Sequence, residues 1–406
     1  MNKELIITFS YYGIGGAQRR AFALADNFAK KGYDVYVLAI LGSDNTISTE
    51  NYYNVDKNIK LVLIPDYYQI HRNDKAIIKI EKKIAKQISN LKLLQFIFKP
   101  FKKTVDKIKF KINGLKKSIA LKTFLISHQG STIINFGFNI YDRIYFSAKG
   151  LKCKIIYAET NASNKYQSER FFDLIKEKIK RSDSLIFQTS EERTEHNLDK
   201  SKKAYVIHNP IKAGLPEPYS EERNKTIVNF CRLSRQKNLL LLIKAFQRFH
   251  KEFPDYTLEL FADTSDPNNI EYKKELISYI QNNGLEKSIF LLPPSSDIHN
   301  IILKSAMFVS SSDYEGISNS MIEAMAIGLP CVCTDCDGGG AREMITNGEN
   351  GLLVPVGDVE ALKNAMVRMI TEEGLAEKCS KNASKIRETH SIEKIANQWL
   401  DIINNI

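Results

Sequence analysis

The chain lacks most of what would mark it for a membrane span, a metal site or an oxidising compartment. No uninterrupted apolar run among its 406 residues reaches the roughly 18 needed to cross a bilayer. Its opening, MNKELIITFS, leads directly into a strand-like run and a glycine turn, which is not the layout of a secretory leader; a cytoplasmic location is expected. Cysteine is sparse, with three of the six residues in the cluster Cys331, Cys333 and Cys336. No second cysteine or histidine group stands at zinc-ligand spacing from that cluster. Cys331 and Cys333 alternate with Val332 in a β-type run, where free thiols behave as small apolar groups. Buried, reduced cysteines and no metal are expected.

Arginine is missing from one long stretch, and acids nearly so. Between Lys75 and Lys122 stand 15 lysines, no arginine and two acids (Glu81, Asp106), a net of +13 against +11 for the whole chain. Ile77, Ile80, Ile84, Ile88 and Leu91 fall at helical spacing, Pro100 interrupts, and Phe101, Val105, Ile108, Ile112, Leu115 and Ile119 resume it. An apolar stripe beneath a lysine face is the pattern of a helix lying on an anionic membrane surface. At about 1 kcal/mol per lysine, five in contact would supply on the order of 5 kcal/mol, enough for reversible docking. Nucleic acid is not the expected partner, because the arginines of bidentate phosphate and base recognition are absent. The plainer alternative packs the stripes on the first domain and leaves the lysines in water.

The remaining composition, 43% hydrophobic and 26% charged, is that of a globular protein, and its length suits two domains. Leu5–Phe9 reads as a strand, followed by a glycine turn with Gly13, Gly15 and Gly16, a helix over Ala21–Lys31 and a strand over Asp34–Ile40. Further β-like runs fall at Leu61–Ile64, Thr132–Asn135, Lys154–Ala158, Ser184–Gln188 and Ala204–Ile207. Thr189-Ser-Glu-Glu192 reads as a capping box. His208-Asn-Pro210, with Pro216 and Pro218, marks a linker, and the strand of a second domain begins near Thr226.

The densest signal runs from Asp313 to Asp358. Glu315 stands before a helix and Glu323 inside it, eight positions on and within roughly 80° of the same face. Between them, Gly316, Ile317, Ser318, Asn319 and Ser320 form a helix entrance whose free N–H groups favour an anion. Pro330-Cys-Val-Cys-Thr334 and a glycine-rich turn follow, which is the helix–strand–turn–helix unit of an open parallel sheet. The series EGISNSMIEAMAIGLPCVCTDCDGGGAREMITNGENGLLVPVGD resembles the donor-binding region of the retaining glycosyltransferases of family 4. Their E-x7-E motif matches Glu315 and Glu323, and later pieces match Gly339 to Glu343 and Asn350 to Asp358.

The resemblance implies an α/β protein of GT-B fold, with two Rossmann-like domains whose parallel sheets face across a cleft. Residues 1–207 would form the acceptor-binding domain, with the basic insertion at about 75–122. Residues 208–390 would bind the nucleotide-sugar donor, and 391–406 would cross back to the first domain. The same resemblance implies that Arg232 and Lys237 hold the donor diphosphate, Glu315 orients the sugar and Glu323 the ribose. Gly15 and Gly16 would face the donor from across the cleft. Glu315, Arg232 and Lys237 would be the catalytic set. Glu159, Asn161 and His128 are candidates for acceptor or sugar contact.

The implied activity is retaining transfer of a hexose or N-acetylhexosamine from a nucleotide sugar, with UDP the favoured carrier, to a glycan or lipid-linked acceptor of a surface polysaccharide. No cofactor or metal is implied, and the expected location is the inner face of the cell membrane. Family glycines are replaced around Phe261–Asp266 and Pro293–Ser296, near the base and ribose, so the identity of the base stays open. A catalytically silent nucleotide-sugar-binding scaffold is the alternative.

Overall fold

Short runs rich in Val, Ile and Leu, each separated by a helix-length segment, bury both faces only when helices cover a parallel sheet on each side. The computed structural model of the chain describes residues 3–10, 15–40, 56–64, 117–160, 169–198, 203–263 and 269–406, and contains two such sheets. The proximal sheet has seven parallel strands in the order β3-β2-β1-β4-β5-β6-β7. They are β1 (Glu4–Phe9), β2 (Asp34–Ala39), β3 (Lys60–Leu63), β4 (Thr132–Phe136), β5 (Lys154–Ala158), β6 (Ser184–Phe187) and β7 (Ala204–Val206). The distal sheet has six, ordered β10-β9-β8-β11-β12-β13. These are β8 (Thr226–Arg232), β9 (Thr257–Asp263), β10 (Ile289–Leu292), β11 (Met307–Ser310), β12 (Cys331–Thr334) and β13 (Leu352–Val354).

Both orders reverse direction at the first strand of their domain, between β1 and β4 and between β8 and β11. Ligands of such sheets bind at the carboxyl ends of the strands, at that reversal. Two Rossmann-like domains are therefore present, as the sequence leads one to expect. In β1, Leu5, Ile6, Ile7 and Phe9 are all buried, because helices cover both faces.

Five helices that follow strands border the cleft. Helix α1 (Gly16–Lys30) follows β1, α2 (Ser190–Glu195) follows β6, and α3 (Leu239–Glu252) follows β8. Helix α1 begins five residues before the expected Ala21. Its first turn, Gly16 to Arg19, points toward the cleft rather than the core, so the apolar rhythm starts only at Ala21 and Phe22. Helix α4 (Asn319–Ala326) follows β11, and α5 (Gly340–Met344) follows β12. The last helix, α6 (Ile392–Asn404), crosses to the proximal domain, where Ile395, Ala396 and Trp399 join the core of β1 and α1. Trp399 is fully buried, its ring 5.8 Å from that of Phe136.

The basic segment lies outside the described residues up to position 116. Its described end, helix 117–127, packs into the proximal core through Ala120, Leu121 and Phe124. Among the described residues no helix is long and apolar enough to cross a membrane. All six cysteines are unpaired, and Cys331, Cys333, Cys336 and Cys379 are buried. Burial pushes the Cys336 thiol up to about 12, which makes it inert at neutral pH.

Candidate functional site

Strand β8 delivers Arg232 to the carboxyl edge of the distal sheet, where its side chain is exposed. A short 3-10 turn, Arg235–Lys237, then leads to Asn238, which takes a left-handed conformation (φ 41°) and caps α3. Asn238 also donates to Asp313 Oδ1 at 2.7 Å, tying this turn to the loop after β11. Lys237 is thereby aimed at Glu315 and forms an ion pair with it, mostly shielded from water. Burial alone would lower the Lys237 ammonium, but the Glu315 carboxylate outweighs it and holds the group above its usual range. Arg232 has no hydrogen-bond or ion-pair partner among the described residues, yet its charge acts on Lys237. One of the two cations is thus paired with a carboxylate and the other is not, which leaves net positive charge for an anion.

Helix α4 starts at Asn319 because Ser318 caps it, accepting from the Met321 N–H, and stops before Gly328 (φ +74°) and Pro330. Glu323 therefore lies in the second turn, closer to the entrance than two full turns. Its carboxylate, 3% exposed, accepts from His299 Nε2 at 2.8 Å and pairs with the Arg19 guanidinium. Burial favours the protonated acid, but the hydrogen bond from His299 and the charge of Arg19 outweigh it and hold Glu323 below the usual carboxylate range. Arg19 belongs to the first turn of α1, so this ion pair joins the two domains.

The entrances of α1 and α4 meet there. A Cβ on Gly16 would lie 2.7 Å from Asn319 Nδ2, and one on Gly316 would lie 2.9 Å from Glu192 Oε1 and 3.4 Å from Gln188 Oε1. A side chain at either position would push aside the end of Asn319, or of Glu192 and Gln188. Two helix N-termini from different domains converge on one spot, and their partial positive charge favours an anion between them. A small cavity behind the α4 entrance is lined by Ser310, Ser312, Glu315, Ser318, Thr334 and Cys336.

The seam is polar. Asn209 of the linker donates to the Ile317 carbonyl (3.0 Å), Gln188 Oε1 (3.0 Å) and Asn319 Oδ1 (3.3 Å), and accepts from Arg20 at 2.8 Å. Thr189 donates to the Gly338 carbonyl at 2.8 Å, and Ser190 to Glu343 Oε1 at 2.9 Å. Ser320, on the first turn of α4, shares a 3.0 Å hydrogen bond with Ser318.

The expected site residues fall into two groups. Gly15, Gly16, Arg232, Lys237, Glu315 to Ser320 and Glu323 lie at the carboxyl edges of the two sheets or on the loops and helix ends that follow. Glu159 also lies at that edge, after β5, but it is 2% exposed, accepts from the Tyr157 hydroxyl (2.8 Å) and its own neighbour's N–H, and faces inward. His128 lies at the opposite edge, stacked on Phe124 at 4.0 Å and beside the starts of β4 and β5. The length of a five-residue strand, about 17 Å, separates it from the cleft. Asn161 lies outside the described residues. Arg19, Gln188, Asn209 and His299 also enter the site, although none of them is among the residues expected there from the sequence. Only Asn209 had a local signal, its place in the His-Asn-Pro linker.

Residues 216–386 match the model of the family described as glycosyl transferases group 1. The distal domain is a group 1 glycosyl transferase domain. Within it lie Arg232, Lys237, His299, Glu315 and Glu323, while Arg19, Gln188 and Asn209 reach the group 1 domain from outside. The chain is 28% identical over 258 residues to a poly(glycerol-phosphate) alpha-glucosyltransferase of Bacillus subtilis, covering 62% of this chain and 37% of that protein. It is 23% identical over 395 residues to an uncharacterized glycosyltransferase of Haemophilus influenzae, covering 96% of each. The crystal structure of Anabaena HepE in complex with UDP and glucose superposes with a TM-score of 0.74, at 16% identity and over 100% of both chains. The fold surrounding the group 1 domain is thus GT-B.

Proposed function

We propose that the protein is a retaining glycosyltransferase that moves a hexose or N-acetylhexosamine from a UDP-sugar to a glycan or lipid-linked glycan acceptor in surface polysaccharide assembly. The observation that carries this reading is the convergence on one cleft of two cations, two helix entrances and two carboxylates. Negative charge grows on the diphosphate as the sugar leaves, and Arg232, Lys237 and the α4 entrance are fixed where they can absorb it. The reading assigns no metal and no cofactor. Glu315 would hold sugar hydroxyls and Glu323 the ribose. Retention follows if the acceptor oxygen attacks C1 from the face the diphosphate leaves. The bond from C1 to the diphosphate oxygen breaks, the bond from C1 to the acceptor oxygen forms, and the acceptor proton passes to the departing phosphate. UDP bound to the similarly folded HepE and the glucosyl transfer named for the Bacillus relative support the donor class.

The Lys75–Lys122 segment is assigned in this reading to an anionic membrane surface, which would bring the cleft to a lipid-carried acceptor. The test of the central claim is donor turnover by purified protein against UDP-, GDP- and ADP-sugars. Lys237→Ala and Glu323→Ala should each lower it by a hundredfold or more while the fold survives, the usual scale for removing one charge-stabilising group. Wild-type rates in both variants would refute the assignment, and binding without any turnover would point to a silent scaffold.

A further inference from the structure

The two oxygens of Glu323 are served by partners of different standing. His299, on Oε2, belongs to the same domain and is 5% exposed. Arg19, on Oε1, comes from the opposite domain and its side chain is one-third exposed. A parting of the domains withdraws Arg19 and leaves His299 in place. The imidazole is held edge-on to Phe230 at 5.7 Å, and Phe230 lies edge-on to Phe308 at 5.4 Å. An apolar side chain would fill that position against the rings equally well. What histidine adds is an N–H donor aimed at a carboxylate that water scarcely reaches.

We infer that His299 is a positioning residue for donor recognition: it fixes the rotamer of Glu323 so that Oε1, once Arg19 withdraws, meets the ribose hydroxyls of the nucleotide. A carboxylate held at one oxygen presents the other in a single orientation. One held at neither samples several rotamers and must be ordered by the ligand, at the ligand's cost in affinity. Hydrogen bonds to charged groups are worth more than neutral ones, so the effect should be visible in binding alone. The inference rests on the UDP-sugar reading above.

The test uses the full chain and two ligands, UDP and 2′-deoxy-UDP, titrated by calorimetry into wild type, His299→Leu and His299→Gln. Leucine keeps the bulk and loses the donor; glutamine keeps an N–H. Wild type should prefer UDP by about tenfold. The leucine variant should bind UDP about tenfold more weakly and tell the two ligands apart by less than twofold. Glutamine should restore most of the preference. If leucine prevents folding, alanine takes its place. A leucine or alanine variant that binds UDP and keeps the tenfold preference overturns the inference and leaves the donor reading intact. A wild type that binds no UDP overturns that reading, and this inference with it.

Discussion

Glu192 is a carboxyl with almost no water around it. Thr189 caps α2 by accepting from the Glu192 N–H at 3.1 Å, and Glu192 Oε2 accepts from the Gln188 N–H at 3.0 Å. The capping box read from Thr189-Ser-Glu-Glu192 thus points the carboxyl back into the domain seam, where its Oε1 finds no partner among the described residues. Burial first, and then the nearby Glu159, push the carboxyl up to about 8. Between the ordinary 4.5 and about 8 the folded chain keeps a proton that the unfolded chain has lost. Stability should therefore fall as pH rises through that window and level off above it. Glu192→Gln, neutral at every pH, should flatten the fall and stabilise the protein at pH 8 by on the order of 2 kcal/mol. Melting curves from pH 5 to 8 check this; parallel curves for the two proteins would contradict it. At this scale the motif residues Glu315, Glu323, Arg232 and Lys237 were legible from spacing and resemblance. Arg19 was not, because its partner lies 304 positions away. The separation of His299 from Glu323 is only 24, yet it spans a helix and a strand, so no local rhythm connects them.

The proximal strands were legible almost to the residue, since a buried parallel strand reads as a short apolar run, whereas β9, β10, β11 and β13 of the distal sheet were given no range of their own. Helix entrances were less legible than the proximal strands. The start of α1 was hidden because its first turn faces a ligand cleft, and cleft-facing turns carry no apolar stripe. The basic segment is the element where sequence and structure meet least. Its described end packs in the core through Leu121 and Phe124, so the membrane proposal narrows to the lysines ahead of it. Those lysines should bind vesicles through charge, and the binding should weaken as salt shortens the Debye length. Co-sedimentation with vesicles containing anionic lipid should be strong at 50 mM salt, several-fold weaker at 500 mM, and absent for zwitterionic vesicles. Indifference to both lipid charge and salt would remove the membrane surface from the proposal.

In the molecule as a whole, the two domains are held together at the cleft by polar groups and behind it by α6, whose Trp399 anchors the chain end in the proximal core. The polar contacts can exchange for a ligand, whereas the apolar seam of α6 cannot without exposing its core. The Arg19–Glu323 pair is the contact with most to exchange, because it occupies the carboxylate assigned to the donor ribose. While that pair is made, the binding-competent fraction is reduced, and the apparent affinity for UDP falls by the same fraction. Arg19→Gln should release the carboxylate, lower the melting temperature of the ligand-free protein slightly, and tighten UDP binding by about three- to tenfold. Calorimetry on the two proteins separates the alternatives by sign. Tighter binding means the arginine competes with the nucleotide, and weaker binding means that it moves onto the phosphates and belongs to the donor site itself.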